Sequence, residues 1–179
     1  MQTHYFIGIK IPGSAAEVLE KMRSSWEMNS HKRYTAAVDM HITLLFIGDD
    51  PTGEIKLESE ALAEIDQTSF DLLIDGVSTF GNPATPRIVF ASVKESEELR
   101  KLQEKVKTAV GGFNMNPDMK PFIPHITLAA KWAGGPPMDR ELKAEPIAFK
   151  VDRFSLFRIA PGNIPKYIEE TTYPLKEGV

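Results

Sequence analysis

With 179 residues, 42% of them hydrophobic and 26% charged, the chain has the makeup of a single compact domain, residues 1–179, or of two small lobes sharing a cleft, and no low-complexity tract points to disorder. A net charge of −4 and a pI near 5.6 exclude a protein that coats long stretches of RNA or DNA, because such coating relies on basic surface to neutralise phosphates. The absence of cysteine excludes disulfides, thiolate metal ligands and a cysteine nucleophile.

No apolar run approaches the roughly 20 residues that cross a bilayer, and the start MQTHYFIGIKIPG lacks the basic segment and cleavage site of a signal peptide. A cytoplasmic protein without a membrane partner is expected, monomeric by default. Net charge does not bar a nucleotide or an RNA end as ligand, since one phosphate needs only a few local donors.

From the N-terminus, Tyr5, Ile7 and Ile9 alternate as a first strand that Pro12-Gly13 ends. Ser14 and Glu17 read as a capping box for a helix whose apolar stripe is Ala15, Val18, Leu19, Met22 and Trp26. Asn29 to Val38 reads as a polar loop leading into a short extended piece, its His31, Lys32 and Arg33 a solvated surface or at most a supporting contact. A strand from Met40 to Ile47 ends at Gly48-Asp49-Asp50-Pro51, and a second helix follows Gly53. Phe70 to Ile74 and Arg87 to Val93 suggest an antiparallel hairpin, and Glu95 to Val110 a helix with Leu99, Leu102, Val106 and Ala109 inward. Pro121-Phe122-Ile123-Pro124 delivers the chain into a strand at His125. Near Asp152-Arg153 the alternation changes phase, which suggests a bulge, and a last strand runs from about Tyr167 to Tyr173. This order predicts an α+β protein built mainly of antiparallel sheet.

Two of these strands open with the same four letters, His41-Ile42-Thr43-Leu44 and His125-Ile126-Thr127-Leu128, close to half the chain length apart. An internal duplication would account for the spacing. Alternation places His41 and Thr43 on one face and Met40, Ile42, Leu44 and Phe46 on the other, and it opposes His125 and Thr127 to Ile126 and Leu128. An isolated strand histidine is usually structural, which is the reading applied to His4 and His31. A His and a hydroxyl aimed the same way twice are costly to bury without partners, so a cleft is the expected setting.

No H-E-x-x-H, P-loop, dinucleotide-binding or G-x-S-x-G signature occurs, so no metal ligands and no cofactor are expected. Acid and base catalysis by two imidazoles remains, because groups of unperturbed pKa about 6.5 can divide the two proton transfers near neutral pH. Phosphodiester cleavage requires that pair, with Thr43 and Thr127 donating to the non-bridging oxygens.

The segments MHITLLFIGD and PFIPHITLAAK, with the opening FIGIKIP, resemble the two-histidine phosphoesterase superfamily and within it the LigT-like RNA 2′,3′-cyclic phosphodiesterases. The resemblance spans nearly the whole chain. It implies a bilobal, pseudo-twofold fold with a central cleft lined by His41, Thr43, His125 and Thr127. It further implies metal-independent hydrolysis of a 2′,3′-cyclic phosphate, on an RNA terminus or a small cyclic nucleotide, to a 2′-phosphate, with RNA joining as the reverse reaction. His41 would be the acid toward the leaving 3′ oxygen and His125 the base.

One departure concerns the arginine of P-H-x-T-L-x-R, where this chain has Ala129-Ala130-Lys131. Alternation places Lys131 on the His125 face, but six residues of strand span roughly 20 Å, so it reaches a phosphate only if the strand bends. Lys120, Arg87 and Arg158 are substitute candidates, and Phe122 is a base-stacking wall or core. A related enzyme for another cyclic phosphodiester and a non-catalytic binder of phosphorylated RNA ends or nucleotides stay open as alternatives.

Overall fold

The alternating and helical patterns resolve, in a computed structural model that describes residues 3–50, 53–111 and 121–178, into β1 (Tyr5–Lys10), α1 (Gly13–Ser25), β2 (His31–Tyr34), a 3-10 turn (Ala37–Asp39), β3 (His41–Gly48), α2 (Ile55–Ala63), β4 (Phe70–Phe80), β5 (Ile88–Val93), α3 (Glu97–Gly111), β6 (His125–Trp132), β7 (Ile147–Val151), β8 (Arg153–Ile159) and β9 (Tyr167–Pro174). The strands form one antiparallel nine-stranded sheet in the order β7-β4-β5-β6-β3-β1-β8-β9, with β2 paired to β6. The α+β class and the antiparallel sheet predicted from the order of elements are what the structure has.

The order is symmetric about the β3–β6 junction. β1-α1-β3 and β5-α3-β6 are equivalent strand-helix-strand units, each flanked by two further strands, and they meet at the pairing Ile42↔Ile126. Those two isoleucines are the second letters of the two HITL motifs, so the pseudo-twofold relation passes through the repeat itself.

Both motifs show the burial that period-two geometry demands. Ile42, Leu44, Ile126 and Leu128 are fully buried with Leu19, Leu99, Leu102 and Val106, while His41, Thr43, His125 and Thr127 keep partial access to solvent on the opposite face. Beside them β1 is buried at Phe6, Ile7, Gly8 and Ile9, as befits an interior strand covered on both faces.

A bulge sits at the leucine of each motif. Ile7 and Gly8 pair with Leu45 and Thr43, and Val89 and Phe90 with Ala129 and Thr127, which leaves Leu44 and Leu128 as the extra residues. Bulges break the ladder, and here each carbonyl receives a side-chain donor: Gln103 Nε2 of α3 reaches Leu44 O at 3.3 Å, and Arg23 Nη1 of α1 reaches Leu128 O at 2.9 Å. Each helix thus secures the motif of the other half.

Several expectations are corrected. α1 starts at Gly13 and carries no side-chain cap, because Pro12 O already accepts the Ala16 N–H and Ser14 falls inside the first turn; Val18 faces solvent. The stretch read as a loop contains β2. β4 continues beyond the alternating Phe70, Leu72 and Ile74 to Phe80. The phase change at Asp152 is no bulge: β7 pairs with β4 and β8 with β1, so the chain crosses there from one half of the sheet to the other. Phe46 leaves the core face after the Leu44 bulge and is 37% exposed. Gly112, expected at the end of α3, lies outside the described residues.

Candidate active site

The Ile42↔Ile126 register, extended one residue either way, sets His41 across from Thr127 and His125 across from Thr43, all on the solvent-accessible face. The two histidines are then diagonal neighbours, a relation that separates the residues by about 7–8 Å and keeps both within reach of one small group between the rings.

Both rings are anchored alike. His41 Nδ1 lies 2.8 Å from Asp39 O and His125 Nδ1 lies 2.7 Å from Ile123 O, in each case the carbonyl two residues upstream. A carbonyl only accepts, so Nδ1 carries the hydrogen in both rings and each neutral ring keeps its lone pair on Nε2. Thr43 Oγ1, 3.1 Å from His41 Nε2, is therefore the donor in that pair.

His41 rests on Phe6, with ring centroids 4.7 Å apart, and meets the edge of Tyr167 at 4.6 Å. This apolar enclosure penalises the imidazolium and lowers the pKa to about 4; the Asp39 carbonyl opposes the shift, and the charges of His125 and Lys166 add to it. The ligand-free ring is thus neutral at neutral pH. His125 packs edge-on against Phe80 at 5.0 Å and Phe90 at 5.4 Å.

A pocket of about 340 Å³ opens beside His125 and Thr43, lined among others by Phe46, Phe80, Arg87 and Phe122. Phe122 is partly buried against the core and lines this pocket. A larger cavity of about 650 Å³ lies between α2 and the β8–β9 edge, away from both histidines. Arg158 is engaged by Glu170, and Lys120 lies outside the described residues.

The Leu128 bulge shifts the alternation by one, so Ala130 takes the strand position in phase with His125, with Arg33 of β2 directly across from it. Lys131, one residue on, lies close enough to Lys166 for their charges to repel. Lys131 takes a left-handed backbone, φ 65°, and its side chain is exposed.

Sequence reasoning missed Asp39 and Tyr167. The Asp39 carboxylate accepts the backbone N–H groups of Lys166 at 2.9 Å and Tyr167 at 3.2 Å, which fixes the start of β9 against His41. No motif marks either residue. The one available signal was an acid two positions before a strand histidine. Among the described residues, no group of three or more His, Asp and Glu side chains could hold a metal ion, and no helix is long and apolar enough to cross a membrane.

Residues 11–163 match the model of the 2′-5′ RNA ligase superfamily. The chain belongs to that superfamily. Within it, the chain is similar to the RNA 2′,3′-cyclic phosphodiesterase of Bacillus subtilis (strain 168), at 31% identity over 94% of each chain. It is 34% identical to that of Geobacillus stearothermophilus over 97% of its own length, spanning 58% of that relative. Among solved structures, the fold is shared with E. coli LigT complexed with 3′-AMP, at a TM-score of 0.79 and 22% identity over 98% of this chain and 99% of that one. The Thermus thermophilus protein TT0787 aligns at a TM-score of 0.77 and 25% identity, over 98% and 100% of the two chains.

Proposed function

We propose that the protein is a metal-independent RNA 2′,3′-cyclic phosphodiesterase, acting in the cytoplasm as a single two-lobed domain. The observation that carries this reading is the pair of rings set diagonally across the Ile42↔Ile126 pairing and anchored in the same way at Nδ1, which leaves the lone pair of each Nε2 for proton exchange. The relatives named for that activity support it.

The cyclic phosphate sits between the rings. His125 Nε2 takes a proton from a water that attacks phosphorus, and His41 Nε2 gives a proton to the 3′ oxygen that leaves in line with the attack. The product is a 2′-phosphate. Thr43 and Thr127 donate to the non-bridging oxygens and stabilise the charge that builds on them. The same groups, with the proton roles exchanged, serve the joining direction. The apolar pocket at Phe46, Phe80 and Phe122 takes the base or ribose of the terminal nucleotide.

His41 Nε2 carries no proton in the ligand-free protein at neutral pH, so it acquires one together with the anionic substrate. In chelator, the wild type should convert a 2′,3′-cyclic nucleotide to the 2′-phosphate alone, and His41→Ala and His125→Ala should each lose about 10²–10⁴-fold in kcat. Formation of 3′-phosphate, or loss of activity to chelator, would refute the reading.

A further inference from the structure

We propose that Arg33, Lys131 and Lys166 form a second anion subsite, which takes the 5′-phosphate of the nucleotide whose cyclic phosphate lies between the histidines. The inference rests on the function proposed above and adds to it the class of substrate.

The three cations come from separate segments and converge beside His41. Arg33 stands on β2 opposite Ala130 and donates to the Tyr167 hydroxyl. Lys166 immediately precedes Tyr167, with Nζ 5.2 Å from the centre of that ring. Lys131 has its left-handed conformation within β6, its N–H held by Arg87 O at 3.1 Å, and its charge reaches Lys166. Tyr167 links the group to the catalytic pair, since its ring meets His41 at 4.6 Å.

Their charge is not balanced within the described residues. Arg100, Lys101, Arg153, Arg158 and Lys176 all have carboxylate partners, and none of these three does. One carboxylate is near: Asp39, whose Oδ1 accepts the backbone N–H groups of Lys166 and Tyr167, offsets one of the three positive charges and leaves the cluster net positive. The cations also disfavour one another: after desolvation, the charges of Arg33 and Lys131 hold Lys166 below the usual lysine range. A protein with more acidic than basic residues that gathers unpaired cations at one mouth of its cleft has a place for an anion.

The reacting phosphate does not fill that place. It is a monoanion and already has two imidazoles and two threonine hydroxyls. The apolar pocket reaches His125 from the β4–β5 side, whereas the cations reach His41 from β2 and the start of β9. A nucleotide with its base in the pocket and its cyclic phosphate between the rings directs its remaining phosphate toward the cations. That phosphate is a monoester in a free 5′-phosphorylated nucleotide and a diester in an RNA strand.

The test compares adenosine 2′,3′-cyclic phosphate, the same nucleotide with a 5′-phosphate, and a dinucleotide ending in the cyclic phosphate. The wild type should favour a 5′-phosphorylated substrate by about tenfold or more in kcat/KM, mainly through KM. Its salt slope should be steeper by about 0.7 for one more phosphate contact. A gain with the dinucleotide identifies the strand end as the source, and a gain confined to the monoester identifies a free nucleotide. In Arg33→Gln/Lys166→Gln the ratio between substrates should fall to about one, a readout that partial unfolding does not move. Equal turnover of all three by the wild type, or an unchanged ratio in the variant, overturns the subsite. Should none be hydrolysed, the cyclic phosphodiesterase reading fails, and the subsite is then judged by binding. Adenosine 3′,5′-bisphosphate should bind about tenfold tighter than adenosine 3′-phosphate in the wild type and equally in the variant; equal binding in the wild type overturns it.

Discussion

Seating a phosphate against Nε2 should return to His41 the proton that the ligand-free protein denies it. Burial holds the ring at a pKa of about 4. A phosphodiester monoanion about 4 Å from the imidazolium, at an effective dielectric of about 20, stabilises the charged form by about 4 kcal/mol. At 1.36 kcal/mol per pH unit this is a rise of about 3 units. The midpoint should therefore move from about 4 to about 7, where the ring can serve as acid at neutral pH. The direct assay is an NMR titration of the His41 ring, alone and saturated with adenosine 2′-phosphate. Kinetics report the same shift. An acid must be protonated, so activity falls as pH rises through its pKa, and kcat/KM follows the free enzyme while kcat follows the complex. The falling limb of kcat should lie about 3 units above that of kcat/KM. A midpoint that stays near 4 in the complex would refute the acid role and exchange the two histidines.

Thr43→Val and Thr127→Val each remove a donor to a phosphate oxygen, and each should lower kcat about 10- to 150-fold; an unchanged kcat would remove that threonine from the charge-stabilising role. Gly8 has no room for a side chain, since a Cβ there would stand 2.6 Å from Ile42 O, a backbone atom between His41 and Thr43. Gly8→Ala should therefore lose ~1–3 kcal/mol in urea unfolding, and an unaltered midpoint would show that β1 yields freely. Asp39→Ala strips the acceptor from two backbone N–H groups, at about 1–3 kcal/mol each, and should lower both Tm and kcat; Asp39→Asn keeps an acceptor oxygen and should stay near wild type.

The parts of this architecture that one strand dictates alone were legible in the sequence. In His41-Ile42-Thr43-Leu44 and its repeat, alternation suffices to separate a solvent-accessible His and Thr face from a core face, and the burial pattern follows it residue by residue. What depends on a partner strand was not legible. The bulges at Leu44 and Leu128 exist only in pairing with β1 and β5, and they decide that Phe46 turns outward and that Ala130, not Lys131, takes the strand position in phase with His125. The passage from β7 to β8 reads locally as a change of phase, because nothing in five residues of strand reveals which edge they join. Arg33, Lys166 and Tyr167 carry no motif; they matter because β2 and the start of β9 deliver them to His41. The Ser14 capping box failed for a local reason, since Pro12 had already begun the helix.

The claim that organises the rest is that His41 and His125 act on one phosphorus atom in one step, and the double variant His41→Ala/His125→Ala measures it. Groups that act as a unit lose their effect together, so the double variant should be about as slow as either single one. Losses that multiply, or a single variant that keeps wild-type turnover of a 2′,3′-cyclic phosphate, would show that the two rings do not share the reaction.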